Sequence, residues 1–213
     1  MLQTDGYGVY ESLARERGEL ILVGCWAHVR RNFHEALNAG RVAAWFVGQI
    51  ALLYAGEKQL RETKAGPRLR AAVRASESRM VLERLRRAME RVRRRVLPKS
   101  QLGQALDYAL ARWEALTRYV DAGRVEIANN RCENAIRPTA IGKKNFLFIG
   151  HPEAGWRSAV IYSVLGSCRR HGINPDEYLR DVFERLPRAK SSEVKSLTPS
   201  AWAKARRATV VAR

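Results

Sequence analysis

Residues 82–120 read LERLRRAMERVRRRVLPKSQLGQALDYALARWEALTRYV, and this stretch decides the fold class. Apolar residues recur through it in two stripes at alternating intervals of three and four residues, the spacing of one face of an α-helix. The stripes comprise Leu82, Leu85, Met89, Val92 and Val96, and then Leu102, Leu106, Ala109, Trp113, Leu116 and Val120. Between them Pro98 ends one helix and Ser100 is placed to cap the next. The pattern predicts an antiparallel helical hairpin whose stripes form core, or alternatively a dimer-forming coil.

Helix formers dominate from about residue 41 to 122, whereas the flanking segments also contain strand patterns. Before this block, the apolar run 20–24 predicts a buried strand, and residues 2–4 look like the end of another. After it, we expect a short helix capped by Asn129 or Asn130, and then a short strand or hairpin over 146–149 that ends at Gly150. One further helix is expected to end at Gly172 and another to begin at Asn174. After Pro187 the residues are basic, small and polar, and we expect a mobile tail.

Basic residues greatly outnumber acidic ones in the 213-residue chain, with 39 Lys and Arg against 21 Asp and Glu. The formal net charge of +18 predicts a polyanionic partner, with nucleic acid as the first candidate and an acidic membrane surface as the second. No apolar run approaches the length of a membrane span, and the first residues show no signal-peptide pattern. Three scattered cysteines fit a reducing compartment, so we expect a cytoplasmic protein.

Two carboxylates stand at positions that suit metal-assisted chemistry. Asp5 follows a predicted strand end and precedes a glycine turn, and Glu133 lies in the first turn of a predicted helix beside Asn129 and Asn130. Two-metal sites draw several oxygen ligands from distant parts of a chain. Taken singly, however, an ordinary turn aspartate and a helix-capping glutamate explain the same positions.

Four segments together resemble the insertion-sequence 66 family of bacterial transposases. They are QTDGYGVY at 3–10, GCWAHVRRNFHEA at 24–36, GRVEIANNRCENAIRPTAIGKKNFLFIG at 123–150 and GINPDEYLRDVFERL at 172–186. The resemblance implies an RNase H-like core that uses an Asp-Asp-Glu triad and two Mg²⁺ or Mn²⁺ ions. It matches Asp5 to the family's second aspartate and Glu133 to its glutamate, so both are expected to be catalytic metal ligands.

The resemblance also implies a division of the chain. Residues 1–40 are expected to form a partial RNase H-like core, 41–122 a helical insertion, 123–190 the returning core segment, and 191–213 the basic tail. The expected fold class is therefore an α/β remnant of an RNase H-like fold with a large all-helical insertion, predominantly helical overall.

One departure from the family pattern concerns the first aspartate, which lies in the family on a strand upstream of the position matching Asp5. No counterpart precedes Asp5 here, so we expect an N-terminally truncated transposase fragment with a weak or rearranged core. We expect it to be inactive alone, because losing one carboxylate leaves the cations poorly held. Two alternatives stay open. One is a non-catalytic protein that binds DNA or pairs with full-length transposase or itself, and the other is a general basic nucleic-acid-binding helical protein.

Several basic residues are candidates for contact with DNA phosphates, at the element ends and at the target. Four of them crowd a helix with few acidic neighbours, two follow Glu133 closely, and the others flank the family motifs. The candidates are Arg91, Arg93, Arg94, Arg95, Lys143, Lys144, Arg30, Arg31 and Arg137. Through the resemblance, His28, Asn129 and Asn130 are expected to support the carboxylates from behind, and the DNA-bound protein is expected at the bacterial nucleoid.

Cysteine and histidine pairs offer an alternative metal site. Cys25 precedes His28 by three residues, as Cys168 precedes His171, and two such pairs can assemble a zinc site. The pairs lie far apart in the chain and lack the close-turn context of such sites, so we expect no zinc there.

Overall fold

The computed structural model describes residues 1–146 and 150–211, and these confirm a predominantly helical chain. Contacts divide the chain into two compact units, Met1–Arg131 and Cys132–Arg213. The domain boundaries that we predict from the sequence, and the RNase H-like ancestry of the fold, stay predictions. None of the described helices combines the length and the apolar character that a membrane crossing demands.

In the first unit the elements are β1 Leu2–Thr4, α1 Gly8–Arg17, β2 Leu22–Gly24, α2 Trp26–Glu35, α3 Arg41–Glu62, α4 Pro67–Val73, α5 Arg79–Arg93, α6 Gln101–Ala111 and α7 Trp113–Thr117. A 3-10 turn, Ala36–Ala39, joins α2 to α3, and a π-helical turn, Arg74–Ser78, joins α4 to α5. The next helix, α8 Asn130–Phe146, begins at the end of this unit, and α9 Pro152–His171, α10 Pro175–Arg185 and α11 Pro199–Val211 follow in the second.

A two-stranded parallel sheet opens the first unit. Leu2 of β1 pairs with Leu22 of β2, and Thr4 pairs with Gly24. The observed strand is shorter than the predicted run 20–24. Because parallel strands end at the same edge, Asp5 and Cys25 follow the two carboxyl ends of this sheet.

Helices form at both apolar stripes of residues 82–120, although the second stripe is divided between α6 and α7. Leu85 and Met89 of α5 and Leu106 of α6 are fully buried in one core. The Ser100 hydroxyl accepts a hydrogen bond from the Gly103 amide at 3.1 Å, which is the predicted cap of α6. Helix α2 packs against both α3 and α6, so the sheet segment and the helical block share this core.

A buried ionic network fixes the segment that follows α7. Glu57 of α3 accepts hydrogen bonds from Arg74 at 2.6 and 2.8 Å and from Arg70 at 2.9 Å. Arg74 also donates to the carbonyl oxygen of Tyr119 at 2.8 Å, and Arg70 donates to both carboxylate oxygens of Glu126 at 3.1 Å. Residues 119–126 are thus tied to α3 by charged hydrogen bonds, which are stronger than neutral ones.

In the second unit the predicted helix ends are confirmed. Gly172 caps α9 in the left-handed conformation at φ 65°, and the Asn174 side chain accepts a hydrogen bond from the Asp176 amide before α10. Proline at the first turn of α10 has a fixed φ that suits a helix start.

One expectation for the returning segment is wrong. Helix α8 continues through Pro138 to Phe146, whereas we expected a short helix and then a strand from Phe146. The rest of that predicted strand, 147–149, lies outside the described residues. Proline disfavours a helix interior because it lacks an N–H, so Pro138 favoured a helix end that α8 does not show.

Regular structure continues after Pro187, where the sequence shows no firm pattern and we expected a mobile tail. Residues Ser191–Leu197 form a 3-10 turn and α11 follows. The Trp202 ring meets the Tyr178 ring edge-on at 5.7 Å and donates to Asp181 at 2.8 Å. The sparse aromatic contact, rather than a long apolar stripe, anchors this helix, which is why periodicity alone did not reveal it.

Candidate active site at the end of the parallel strands

Asp5 is held in a tight turn at the carboxyl end of β1. Its Oδ1 accepts a hydrogen bond from the Tyr7 amide at 3.1 Å, and the Thr4 hydroxyl accepts one from the Gly6 amide at 3.3 Å. Gly6 has a φ of 86°, a conformation that costs glycine little and other residues much. The turn presents an exposed carboxylate at the strand end, the edge at which α/β sheets bind ligands.

Two side chains from the helical block support this turn from behind. The Tyr108 hydroxyl donates to the Asp5 carbonyl oxygen, and Arg112 donates to the Gly6 carbonyl oxygen at 3.2 Å. A Cβ at Gly6 would lie 2.2 Å from Arg112 Nε, so the turn and the arginine fit only with glycine there. Arg112 also lies 3.6 Å from a carboxylate oxygen of Glu11. Neither Tyr108 nor Arg112 was predicted, because more than 100 residues separate them from Asp5 and no local pattern marks the contact.

A cavity of about 30 Å³ lies beside Asp5. Asp5 and Glu11 supply its carboxylates, and Tyr108 and Arg112 line the opposite wall. This volume takes a water molecule or a small ion rather than an organic ligand. Gly24 and Leu116 also line the cavity, and they pack closely, because a Cβ at Gly24 would lie 2.8 Å from Leu116 Cδ2.

The donors at this cavity fit a hard cation that keeps most of its water. Mg²⁺ commonly binds through one or two carboxylates, with waters and substrate phosphates completing its octahedron. Asp5 supplies one such ligand. Glu11 is a weaker candidate, since Arg112 already neutralises part of its charge. Among the described residues of the first unit, the cavity therefore offers one exposed carboxylate for a metal ion and one that is partly compensated.

The other predicted ligand and its supporting residues are placed as follows. Glu133 lies in the first turn of α8, as expected, and is partly buried. It belongs to the second unit whereas Asp5 belongs to the first, so their union in one site stays a prediction. His28 lies on α2 and is partly buried, Asn129 is partly buried, and Asn130 is exposed at the start of α8.

The arginines of α5 divide into two groups. Arg93 makes a bidentate ion pair with Asp107, at 2.5 and 3.0 Å, and this pairing raises its pKa above the ordinary arginine value. Arg91, Arg94 and Arg95 are exposed, and no acidic side chain in the described part of the chain pairs with them. Of these four predicted arginines, Arg91 on α5 and Arg94 and Arg95 just beyond its end are thus available to an outside anion, while Arg93 is engaged within the fold.

The remaining predicted basic residues are less informative. Arg30 and Arg31 are exposed on α2, and Arg137 is exposed on α8. The side chains of Lys143 and Lys144 lie outside the described ones. The zinc alternative is also untested, although both Cys25 and Cys168 are buried in their own units.

Comparison with known proteins gives a consistent result across the chain. Residues 1–157 match the family described as Transposase IS66 family, and residues 163–200 match the one described as IS66 C-terminal element. No solved structure matches the chain significantly.

The curated relatives are longer than this chain. An uncharacterized protein of Sinorhizobium fredii, y4qI, is 35% identical over 208 residues, which cover 93% of this chain and 38% of the relative. A second uncharacterized protein of that organism, y4jD, is 31% identical over 95% of this chain and 41% of its own length. The chain thus spans about two fifths of the curated relatives it matches.

Proposed function

Because the chain belongs to the IS66 family of transposases, we propose that it takes part in the DNA cleavage and strand transfer of an insertion element. In this proposal Asp5 and Glu133 are ligands of catalytic Mg²⁺ or Mn²⁺, and DNA is the substrate. The observation that supports it most is the placement of Asp5, an exposed carboxylate at the carboxyl end of a parallel strand and inside the matched region.

The residues around Asp5 have definite roles in such a site. A bound divalent cation would act as a Lewis acid on a phosphoryl oxygen and activate the attacking hydroxyl or water. Asp5 would hold the cation, and the Tyr7 amide orients the carboxylate by donating to Oδ1. Tyr108 and Arg112 keep the turn rigid through its two carbonyl oxygens, so the ligand position does not drift.

Arg112 has a second effect on this site. Its guanidinium lies within ion-pair distance of Glu11 and lines the cavity beside Asp5. A positive group at this place favours an incoming phosphate over a second carboxylate-bound cation. It also limits Glu11 as a substitute metal ligand, because the carboxylate would have to leave its ion pair.

A second candidate function is supported by charge. The chain carries a net charge of +18, and Arg91 on α5 and Arg94 and Arg95 just beyond its end are exposed and lack acidic partners among the described residues. A protein with these properties binds DNA through phosphate neutralisation whether or not it cleaves. On this alternative it occupies DNA or pairs with a longer family member without catalysis.

Nicking of supercoiled plasmid in Mn²⁺ tests both candidates. The wild-type chain is compared with Asp5→Asn, Glu133→Gln and, as a matched control, Glu62→Gln, an exposed carboxylate of α3 far along the chain from either motif. Nicking that Asp5→Asn and Glu133→Gln abolish but Glu62→Gln preserves supports the catalytic proposal. DNA binding without nicking in all four proteins supports the binding alternative and our expectation of inactivity in the isolated chain.

Two results would contradict these proposals. Nicking that persists in both Asp5→Asn and Glu133→Gln would remove these carboxylates from the metal site. A chain that neither nicks nor binds DNA at low salt would overturn both candidate functions.

A further inference from the structure

Helices α3 and α5 lie side by side and run in opposite directions. Arg84 near the start of α5 donates to the Gln49 side chain of α3 at 3.2 Å. Val42, at the start of α3, lines a cavity together with Val92 near the end of α5 and Arg95 just after that helix. These two observations set the register between the helices, so residues between 42 and 49 on α3 face those between 84 and 92 on α5.

Trp45 occupies the middle of this helix pair. It follows Val42 by three residues and precedes Gln49 by four, so the three side chains form one row along α3. Its indole is 40% exposed, and it meets the buried Phe46 ring edge-on at 5.2 Å. The indole is therefore anchored on one side and leaves aromatic surface open to solvent.

Two arginines near the end of α5 have charges that no acidic side chain compensates. Arg91 of α5 and Arg95, two residues beyond the end of that helix, are exposed, and no acidic side chain among the described residues pairs with them. Arg86 and Arg93 point to the opposite side of α5, where Arg86 lies 5.9 Å from the Trp113 ring and Arg93 pairs with Asp107. Arg95 thus brings an uncompensated positive charge to the cavity that Val42 also lines.

An apolar cavity continues the surface at the end of the row. Its volume is about 650 Å³, and its apolar wall is formed by Ala39, Val42, Val92, Val96, Leu97 and Leu102. Arg95 lies at its edge. Small-molecule sites have this size and this mixture of an apolar wall with one charged group.

We propose that this α3–α5 surface binds an unpaired DNA strand. Trp45 stacks on one base, the apolar cavity takes a neighbouring base, and Arg91 and Arg95 contact the phosphates between them. The proposal rests on the proposed function in that its ligand is DNA, but it concerns a surface separate from the Asp5 cavity. It also names the form of DNA that this surface recognises.

The chemistry favours a single strand over a duplex. In a duplex the base faces are covered by their stacked neighbours, so a surface indole reaches only backbone and groove edges. An unpaired base offers its π-face, and aromatic side chains set among cationic groups are the usual means of binding such strands. The Trp45 indole and the apolar cavity would add little affinity for a duplex, whereas the arginines would contact the phosphates of either form.

The test measures binding of a labelled oligothymidine and of a duplex of equal length by fluorescence anisotropy. Trp45→Ala is compared with Trp156→Ala, which removes a tryptophan that is 71% exposed on α9 in the second unit. We expect Trp45→Ala to weaken oligothymidine binding by about 5-fold or more, as loss of one stacked base requires. Duplex affinity should stay within twofold, and Trp156→Ala should bind both ligands like the wild type. Circular dichroism of each variant checks that helix content is unchanged.

The arginines are tested by salt dependence. For a double variant with Arg91→Gln and Arg95→Gln, the slope of log affinity against log salt for the single strand should become shallower by about 1.4, or about 0.7 per lost phosphate contact. Oligothymidine binding that Trp45→Ala leaves unchanged, in a protein that binds DNA, overturns this inference and leaves the proposed function standing. Absence of binding to either DNA overturns the proposed function as well. The inference is also overturned if the cavity binds an acidic protein segment and Trp45→Ala leaves DNA affinity unchanged.

Discussion

Replacement of Glu57 by glutamine should destabilise the first unit more than any other exchange of a carboxylate for its amide on α3. Glu57 is 1% exposed and Arg74 is fully buried, and two hydrogen bonds of 2.6 and 2.8 Å join them. The glutamine keeps the shape but removes the charge, which leaves the Arg74 guanidinium buried beside a neutral group. Removing one partner of a buried ion pair costs about 3–5 kcal/mol, because the other charge is left uncompensated.

The same change at Glu62 is a matched control on the same helix. Glu62 is exposed and lies 3.7 Å from Lys58, four residues earlier, so its charge is screened by water. Exposed pairs of this spacing contribute about 0.3–0.5 kcal/mol. Urea denaturation followed by circular dichroism measures the loss of unfolding free energy in both variants. In thermal melting, the Tm of Glu57→Gln should fall by roughly 10–15 °C for a unit of this size.

A double-mutant cycle isolates the interaction energy between Glu57 and Arg74 from the energies of their other contacts. Arg74→Gln also loses the hydrogen bonds to the Tyr119 and Ala122 carbonyl oxygens, so it should cost at least as much as Glu57→Gln. The two together should cost clearly less than the sum of the single losses, since each single variant leaves a charge unpaired. The reasoning is refuted if Glu57→Gln costs no more than Glu62→Gln, or if the two losses simply add.

Two further perturbations have defined outcomes. Gly24→Ala should lower the unfolding free energy by roughly 1–3 kcal/mol, because its Cβ would lie 2.8 Å from Leu116 Cδ2 and 3.1 Å from the Leu116 amide nitrogen. Gly48→Ala on α3 has open space at its Cβ and should instead raise the unfolding free energy by about 0.5–1 kcal/mol. Urea midpoints of the two alanine variants check this, and equal effects would contradict it. Burial raises the pKa of Glu126, but hydrogen bonds and charge from Arg70 outweigh burial and hold it below the ordinary value. The stability that Glu126 contributes is therefore present above pH 4.5 and is lost as the pH falls through the lowered pKa. In Glu126→Gln, the unfolding free energy should therefore decline less steeply with acid than in the wild type. An unchanged pH profile would count against the pairing of Glu126 with Arg70.

Much of the helical architecture was readable from local patterns. The stripes through Leu85 and Leu106 predicted both helices of the hairpin, and Ser100, Gly172 and Asn174 predicted helix ends that the structure confirms. These features depend on neighbours three or four residues away, so periodicity and capping chemistry contain them. The family was also predictable, because its motifs are local strings of residues.

Sequence patterns did not predict the observed helices in two segments whose local signals are weak or conflicting. Pro138 and the apolar run after it indicated a helix end and a strand, yet α8 continues to Phe146. In the tail, Trp202 contacts Tyr178 and Asp181 and Arg206 pairs with Glu177, and such scattered contacts make no periodic pattern.

The sequence by itself determined the helical class, the family and the position of Asp5 after a strand end. Only the tertiary structure decided which charges are engaged and which are open. Glu57 and Arg74 are ordinary helix residues in the sequence, as are Arg91 and Arg93, but burial pairs the first two and Asp107 occupies Arg93 alone. Charge pairing depends on side chains brought together from distant positions, and no spacing along the chain encodes that distance.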